Sequence, residues 1–145
     1  MTIIKKWTVA IAILLIAFLS SCQKNDPVSV NTYSQDFTVN QKDWQVGTDD
    51  ASGMYYYFEF QVPNLTQYIY NNGTMQAFLY TNNGNVSPLP FNDYWIEDGT
   101  GYMYTEQITC EFVPGYVTFI IKSSDHNSDF LPYYKNYDFN VRFMW

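Results

Sequence analysis

From Met54 to Val62 the side chains alternate, with Met54, Tyr56, Phe58, Phe60 and Val62 on one face and Tyr55, Tyr57, Glu59 and Gln61 on the other. A period of two belongs to a pleated strand with one face buried; an amphipathic helix would repeat its apolar positions every three or four residues. The chain closes on the same pattern. Phe139, Val141, Phe143 and Trp145 alternate with Asp138, Asn140, Arg142 and Met144, so the last residues are expected inside a strand rather than in a loose tail.

Between these runs, Ile108, Cys110 and Phe112 lead through Val113-Pro114-Gly115 to Tyr116, Val117, Phe119 and Ile121. Pro followed by Gly suits a type II turn, which predicts a hairpin over residues 106 to 123. Met75, Ala77 and Leu79 predict another strand after Asn72-Gly73, and Phe37, Val39, Trp44 and Val46 one or two more. A last pair is expected at Tyr94 to Glu97 and Tyr102 to Thr105, joined by Asp98-Gly99-Thr100-Gly101. The one helical signal is two turns long: Asn64 or Thr66 as cap, Leu65, Tyr68 and Ile69 at helical spacing, and Gly73 as stop. Seven or eight short strands without helical interludes define an all-β chain. The expected fold is a single antiparallel β-sandwich, immunoglobulin-like in the broad sense, with at most one short helix. The Cys, Trp, Cys spacing of true immunoglobulin domains is absent. Aromatic residues make up 20% of the chain and charged residues only 14%, a balance that suits pleated surfaces.

At the other end of the chain, Lys5 and Lys6 precede an apolar run from Trp7 to Phe18, shorter than the ~20 residues a membrane-crossing helix needs. It therefore reads as a signal peptide. The run ends in Leu19-Ser20-Ser21-Cys22, which resembles a bacterial lipobox. That resemblance implies cleavage before Cys22 and lipidation of its thiol. Several acyl chains at ~0.8 kcal/mol per buried methylene would hold the protein permanently. Residues 1–21 are thus a lipoprotein signal peptide, residues 22–35 the lipidated cysteine and a flexible tether, and residues 36–145 the sandwich domain. About ten extended tether residues reach ~30 Å, enough to clear the headgroups.

Cys22-Gln23-Lys24-Asn25-Asp26 resembles the export signal that follows the lipidated cysteine in surface-exposed lipoproteins of Bacteroidetes. Val62-Pro63-Asn64-Leu65-Thr66, Asn72-Gly73-Thr74 running into Ala77-Phe78-Leu79-Tyr80, Pro88-Leu89-Pro90, and a closing strand with Arg142 flanked by apolar residues are similar to the small β-sandwich lipoproteins of that phylum. The resemblance implies a lipid-anchored protein of the outer membrane facing the cell exterior, and it carries no chemistry with it.

Composition narrows the partners. Once residues 1–21 are removed, five basic residues face fourteen acidic ones, a balance of −9, and the basic residues are scattered singly, which excludes nucleic acid. Cys110 is left without a mate by the lipidation of Cys22 and reads as a small buried hydrophobe. His126, the single histidine, excludes a site built on several imidazoles and reads as a solvated loop residue. Asp125, Asn127 and Asp129 have the opening spacing of a calcium loop, but Phe130 replaces the required glycine and Asn136 the closing glutamate, which rules out an EF-hand. A different calcium site, here or at Asp49 with Asp50 or Asp93 with Glu97 and Asp98, is the alternative to Asp and Asn simply favouring turns, and the expectation is no metal and no cofactor.

What remains is the aromatic surplus. Tyr94, Trp95, Tyr102 and Tyr104 fall beside Asp98 around the glycine-rich turn, and aromatic platforms next to carboxylates suit sugars. These five residues form the expected ligand site. The expected function is a non-catalytic binding or interaction module at the cell surface, its partner a glycan or another envelope protein. The alternatives are a purely structural envelope component or a small glycan hydrolase, the latter needing a carboxylate pair in a cleft. Replacing Cys22 by Ala is expected to leave an unlipidated precursor that no longer partitions with membranes, as read by electrophoretic mobility and detergent phase separation; unchanged mobility and partition would refute the lipobox.

Overall fold

The protein is described here from a computed structural model, over residues 29–49, 53–81, 84–96, 99–124 and 136–145. Two antiparallel sheets form a β-sandwich. The four-stranded sheet has the order β1 (Thr32–Val39), β9 (Tyr137–Met144), β4 (Thr74–Tyr80), β5 (Val86–Pro88). In the five-stranded sheet the order is β2 (Gln45–Asp49), β3 (Gly53–Gln61), β8 (Tyr116–Ser123), β7 (Met103–Val113), β6 (Phe91–Ile96).

The alternation places its apolar sets inward as expected. Tyr56, Val117, Phe119, Ile121 and Ile108 from one sheet meet Phe37, Ala77, Leu79, Phe139, Val141 and Phe143 from the other in one core. Phe119 and Phe139 stack across the gap with ring centroids 3.8 Å apart and planes within 10°, both fully buried. The last strand is central in its sheet, paired with β1 on one side and β4 on the other from Met144 to Asp138.

Residues 106 to 123 form the expected hairpin, and Gly115 holds the turn at φ +86°, the left-handed value that the third residue of a type II turn requires. Among the described residues the one α-helix, α1 (Gln67–Asn72), is capped by Thr66, whose Oγ1 accepts from the Ile69 amide at 3.3 Å. Gly73 ends it for a reason of space rather than conformation. A Cβ there would lie 2.7 Å from the Ile69 carbonyl oxygen and 2.9 Å from that of Met144. Tyr68 points outward, 65% exposed, although its spacing matches Leu65 and Ile69.

Three expectations need correction. β1 begins at Thr32, inside the segment 22–35 expected as tether, because Tyr33, Gln35, Phe37 and Val39 already alternate inward and the Tyr33 ring stacks on Phe143. The strands expected at Tyr102 to Thr105 and from residue 106 onward are one long strand, β7, which β8 pairs along most of its length. Nine strands rather than seven or eight are found among the described residues; β5 is a three-residue edge strand whose Pro88 leaves no periodic run to detect.

Replacing Phe139 by Ala removes one ring of the central stack and should cost about 3–5 kcal/mol in a urea unfolding titration. A cost below about 1 kcal/mol would show that the stack does not join the sheets.

Candidate functional site

The expected site is divided by the pleat. β6 pairs with β7 so that Trp95 lies opposite Tyr104, and Tyr94 opposite Thr105. Tyr104 is buried and Trp95 half-buried on the inward face, whereas Tyr94 is 73% exposed on the outward one. Tyr102, at the start of the hairpin arm, is exposed. The four aromatic residues therefore make no common platform: two belong to the end of the core and two to the surface. Sequence proximity around a turn suggested one cluster, but a strand sends neighbours to opposite faces. Asp98 and Cys22 lie outside the described residues, as do His126 and the segment Asp125 to Phe130.

Inside the sandwich, the same pairing sets Asp93 directly opposite Glu106, with Glu106 almost fully buried. Tyr137 of β9 comes down on them from the facing sheet. Burial first, and then the charges of Glu106 and Asp93 and the neighbouring Tyr104, push the Tyr137 phenol well above its ordinary value of 10.0. Trp44 meets the Tyr137 ring edge to face at 5.7 Å. Neither carboxylate lines the cavity of about 490 Å³ beside β4 and β7, which runs past Met75, Leu89, Cys110 and Phe112. At its margin β6 begins pairing at Phe91, opposite Ile108, while Leu89, just past β5, is tied to β4, its amide donating to the Ala77 carbonyl and its own carbonyl accepting from Gln76 Nε2. Cys110 is half-buried there; burial, and then the charge of Glu111, push its thiol far up, so the group is a poor nucleophile at neutral pH.

A third arrangement, which sequence reasoning missed, lies on the outer face of the four-stranded sheet. Register brings Ser34, Arg142 and Gln76 into one row, Asp36, Asn140 and Phe78 into the next, and Thr38, Asp138 and Tyr80 into a third. Asn140 stands at the centre with 5% of its surface exposed. Its Nδ2 donates to Asp36 Oδ1 at 2.7 Å and to Ser34 Oγ at 3.0 Å, and its Oδ1 accepts from Arg142 Nε at 2.7 Å. Tyr80 donates to Asp36 at 3.1 Å and Thr38 to Asp138 at 2.6 Å. The guanidinium of Arg142 lies 4.5 Å from the centroid of the Phe78 ring, a cation–π stack. The hydrogen bond to Asp36, then desolvation and that carboxylate's charge, raise the Tyr80 phenol, with Arg142 acting the other way. Three strands far apart in the sequence thus hold a polar surface in one set geometry. The signal for it was present, since Ser34, Asp36 and Thr38 alternate with inward residues just as Asp138, Asn140 and Arg142 do, but only the register aligns the two sets.

Among the described residues no three metal-ligating side chains come together, and no helix is long and apolar enough to cross a membrane. No family model, no curated protein and no solved structure matches this chain.

Because Tyr137 keeps its proton more firmly when folded, its contribution to stability is complete below the unfolded value near 10.0 and is lost as pH rises above it. Melting temperatures of the native protein should therefore fall as pH rises above about 10, and less steeply in Tyr137→Phe. Equal slopes would show that Tyr137 does not titrate with unfolding.

Proposed function

We propose that this chain is a lipid-anchored, non-catalytic glycan-binding module of the bacterial envelope, held at the outer membrane through Cys22 and facing the cell exterior. The lipobox-like ending of the leader supports the anchor. The observation that carries the binding role is the ordered polar face around Asn140, in which hydroxyl, amide, carboxylate and guanidinium groups are fixed by one another before any ligand arrives. Preorganised donors and acceptors lower the entropy lost on binding, and a sheet face suits an extended chain of hydroxyl-rich units. Tyr80, 36% exposed at the margin, offers a ring for stacking.

A second reading rests on the opposite sheet. Tyr94, Ile96 and Met103, each 64% exposed or more, form an outward apolar cluster on the edge pair β6–β7 with Tyr102 nearby, the residue types of a protein interface. Asp93 and Glu106 are the acidic pair a hydrolase would require, but Glu106 is almost fully buried and neither lines the cavity beside β4 and β7, which favours a structural role.

Binding of the detergent-solubilised mature protein to a glycan panel tests the proposal. Wild-type protein should retain a subset of glycans, and Tyr80→Ala should weaken retention about tenfold without changing the cooperative thermal transition. A silent panel, with an envelope protein captured through Tyr94 and Met103 instead, would replace it by the second reading.

A further inference from the structure

We infer that the outer face of the four-stranded sheet recognises a carboxylate on its saccharide ligand, through the outward edge of the Arg142 guanidinium. The inference rests on the glycan-binding reading and names the ligand's chemical class.

Arg142 is the only arginine in the 145 residues. In an acidic chain such a cation ordinarily finds a carboxylate, and the register places Asp36 one row from it and Asp138 two. Neither takes it. Asp36 accepts from Asn140 and Tyr80, and Asp138 from Thr38, so both are satisfied by neutral donors. Arg142 is held by its Nε bond to Asn140 and by the Phe78 ring, and it makes no ion pair among the described residues. Its side chain is therefore fixed at one edge and one face while the two Nη groups keep their donors for an external acceptor.

A guanidinium edge presents two parallel N–H groups, the match of a planar carboxylate and a geometry lysine cannot supply. The surroundings narrow the ligand further. No lysine stands on the described part of this face, while Asp36 and Asp138 flank it, an arrangement that repels phosphate dianions and polyuronates but tolerates a single carboxylate on an otherwise neutral chain. Ser34 stands in the arginine's own row and Thr38 two rows along, hydroxyls that a bound saccharide chain would meet as it runs across the face.

Calorimetric titration of the detergent-solubilised mature protein with a neutral oligosaccharide carrying one glucuronic acid, and with the same oligosaccharide reduced to the alcohol at that carboxyl, decides the matter. The acid form should bind about tenfold or more tightly than the reduced form. Arg142→Gln should abolish the difference while leaving weak binding of both, and Arg142→Lys should restore only part of it. Comparing the two sugars on the wild-type protein is independent of whether either variant folds. Equal affinity of wild type for both sugars would overturn the carboxylate while leaving glycan binding in place. Binding of free glucuronate as tight as that of the oligosaccharide would overturn the saccharide in favour of a bare anion site. Failure to bind either sugar would overturn the inference, and the glycan panel would then say whether the wider reading falls with it.

Discussion

The structure depends on the meeting of β9 with the opposite sheet at the Phe139–Phe119 stack. A small sandwich buries little surface, so each inward aromatic carries a large share of the stabilisation, at about 1.5–3 kcal/mol for full burial of a large apolar side chain. Phe139 sits where that share is greatest. Its ring faces Phe119 at 3.8 Å, its strand is hydrogen-bonded on both sides, and Tyr137 and Phe143 extend the aromatic row toward the two ends of the core. β1, β4 and the five-stranded sheet all meet through this one strand.

The same strand supplies the polar face. Inward residues of β9 are apolar and the outward ones are Asp138, Asn140, Arg142 and, at its end, Met144, so core packing that fixes Phe139 and Val141 also fixes the backbone from which Asn140 and Arg142 project. Asn140 is the costly element of the design, because an amide with 5% exposure destabilises the fold by about 1–3 kcal/mol if its partners are lost. Its contacts with Ser34, Asp36 and Arg142 offset that cost and tie β9 to β1, while the Tyr80 bond to Asp36 and the Arg142–Phe78 stack bring in β4. Rigidity of the face and stability of the sheet are then one property rather than two.

Much of the fold was legible because period-two alternation survives in single strands: residues 54 to 62 and 138 to 144 read correctly from side-chain order alone, as did the Pro114-Gly115 turn, while of the two expected caps, Asn64 and Thr66, the structure uses Thr66. β5 was not legible, since three residues ending in proline carry no period. Neither was the start of β1, where Thr32, Ser34 and the inward Gln35 looked like polar tether because Tyr33 is the one apolar residue among them. The site was less legible than the fold for a definite reason. Tyr94, Trp95, Tyr102 and Tyr104 are close in sequence, yet alternation sends Trp95 and Tyr104 inward and Tyr94 outward. Ser34, Asn140 and Phe78 are far apart in sequence, yet register makes them neighbours, and register is set by pairing between strands rather than by any one of them.

Native-state hydrogen exchange of β9 tests most directly the claim that one strand carries both core and face. Its amides from Phe139 to Phe143 lie between two partner strands, so they should exchange only by global unfolding, with the free energy found by denaturant titration, and the Asn140 side-chain amide should be protected with them. Exchange of β9 well ahead of β3 and β8, at a lower free energy than global unfolding, would contradict the account: the strand would then open by itself, and the polar face would not be held by the core.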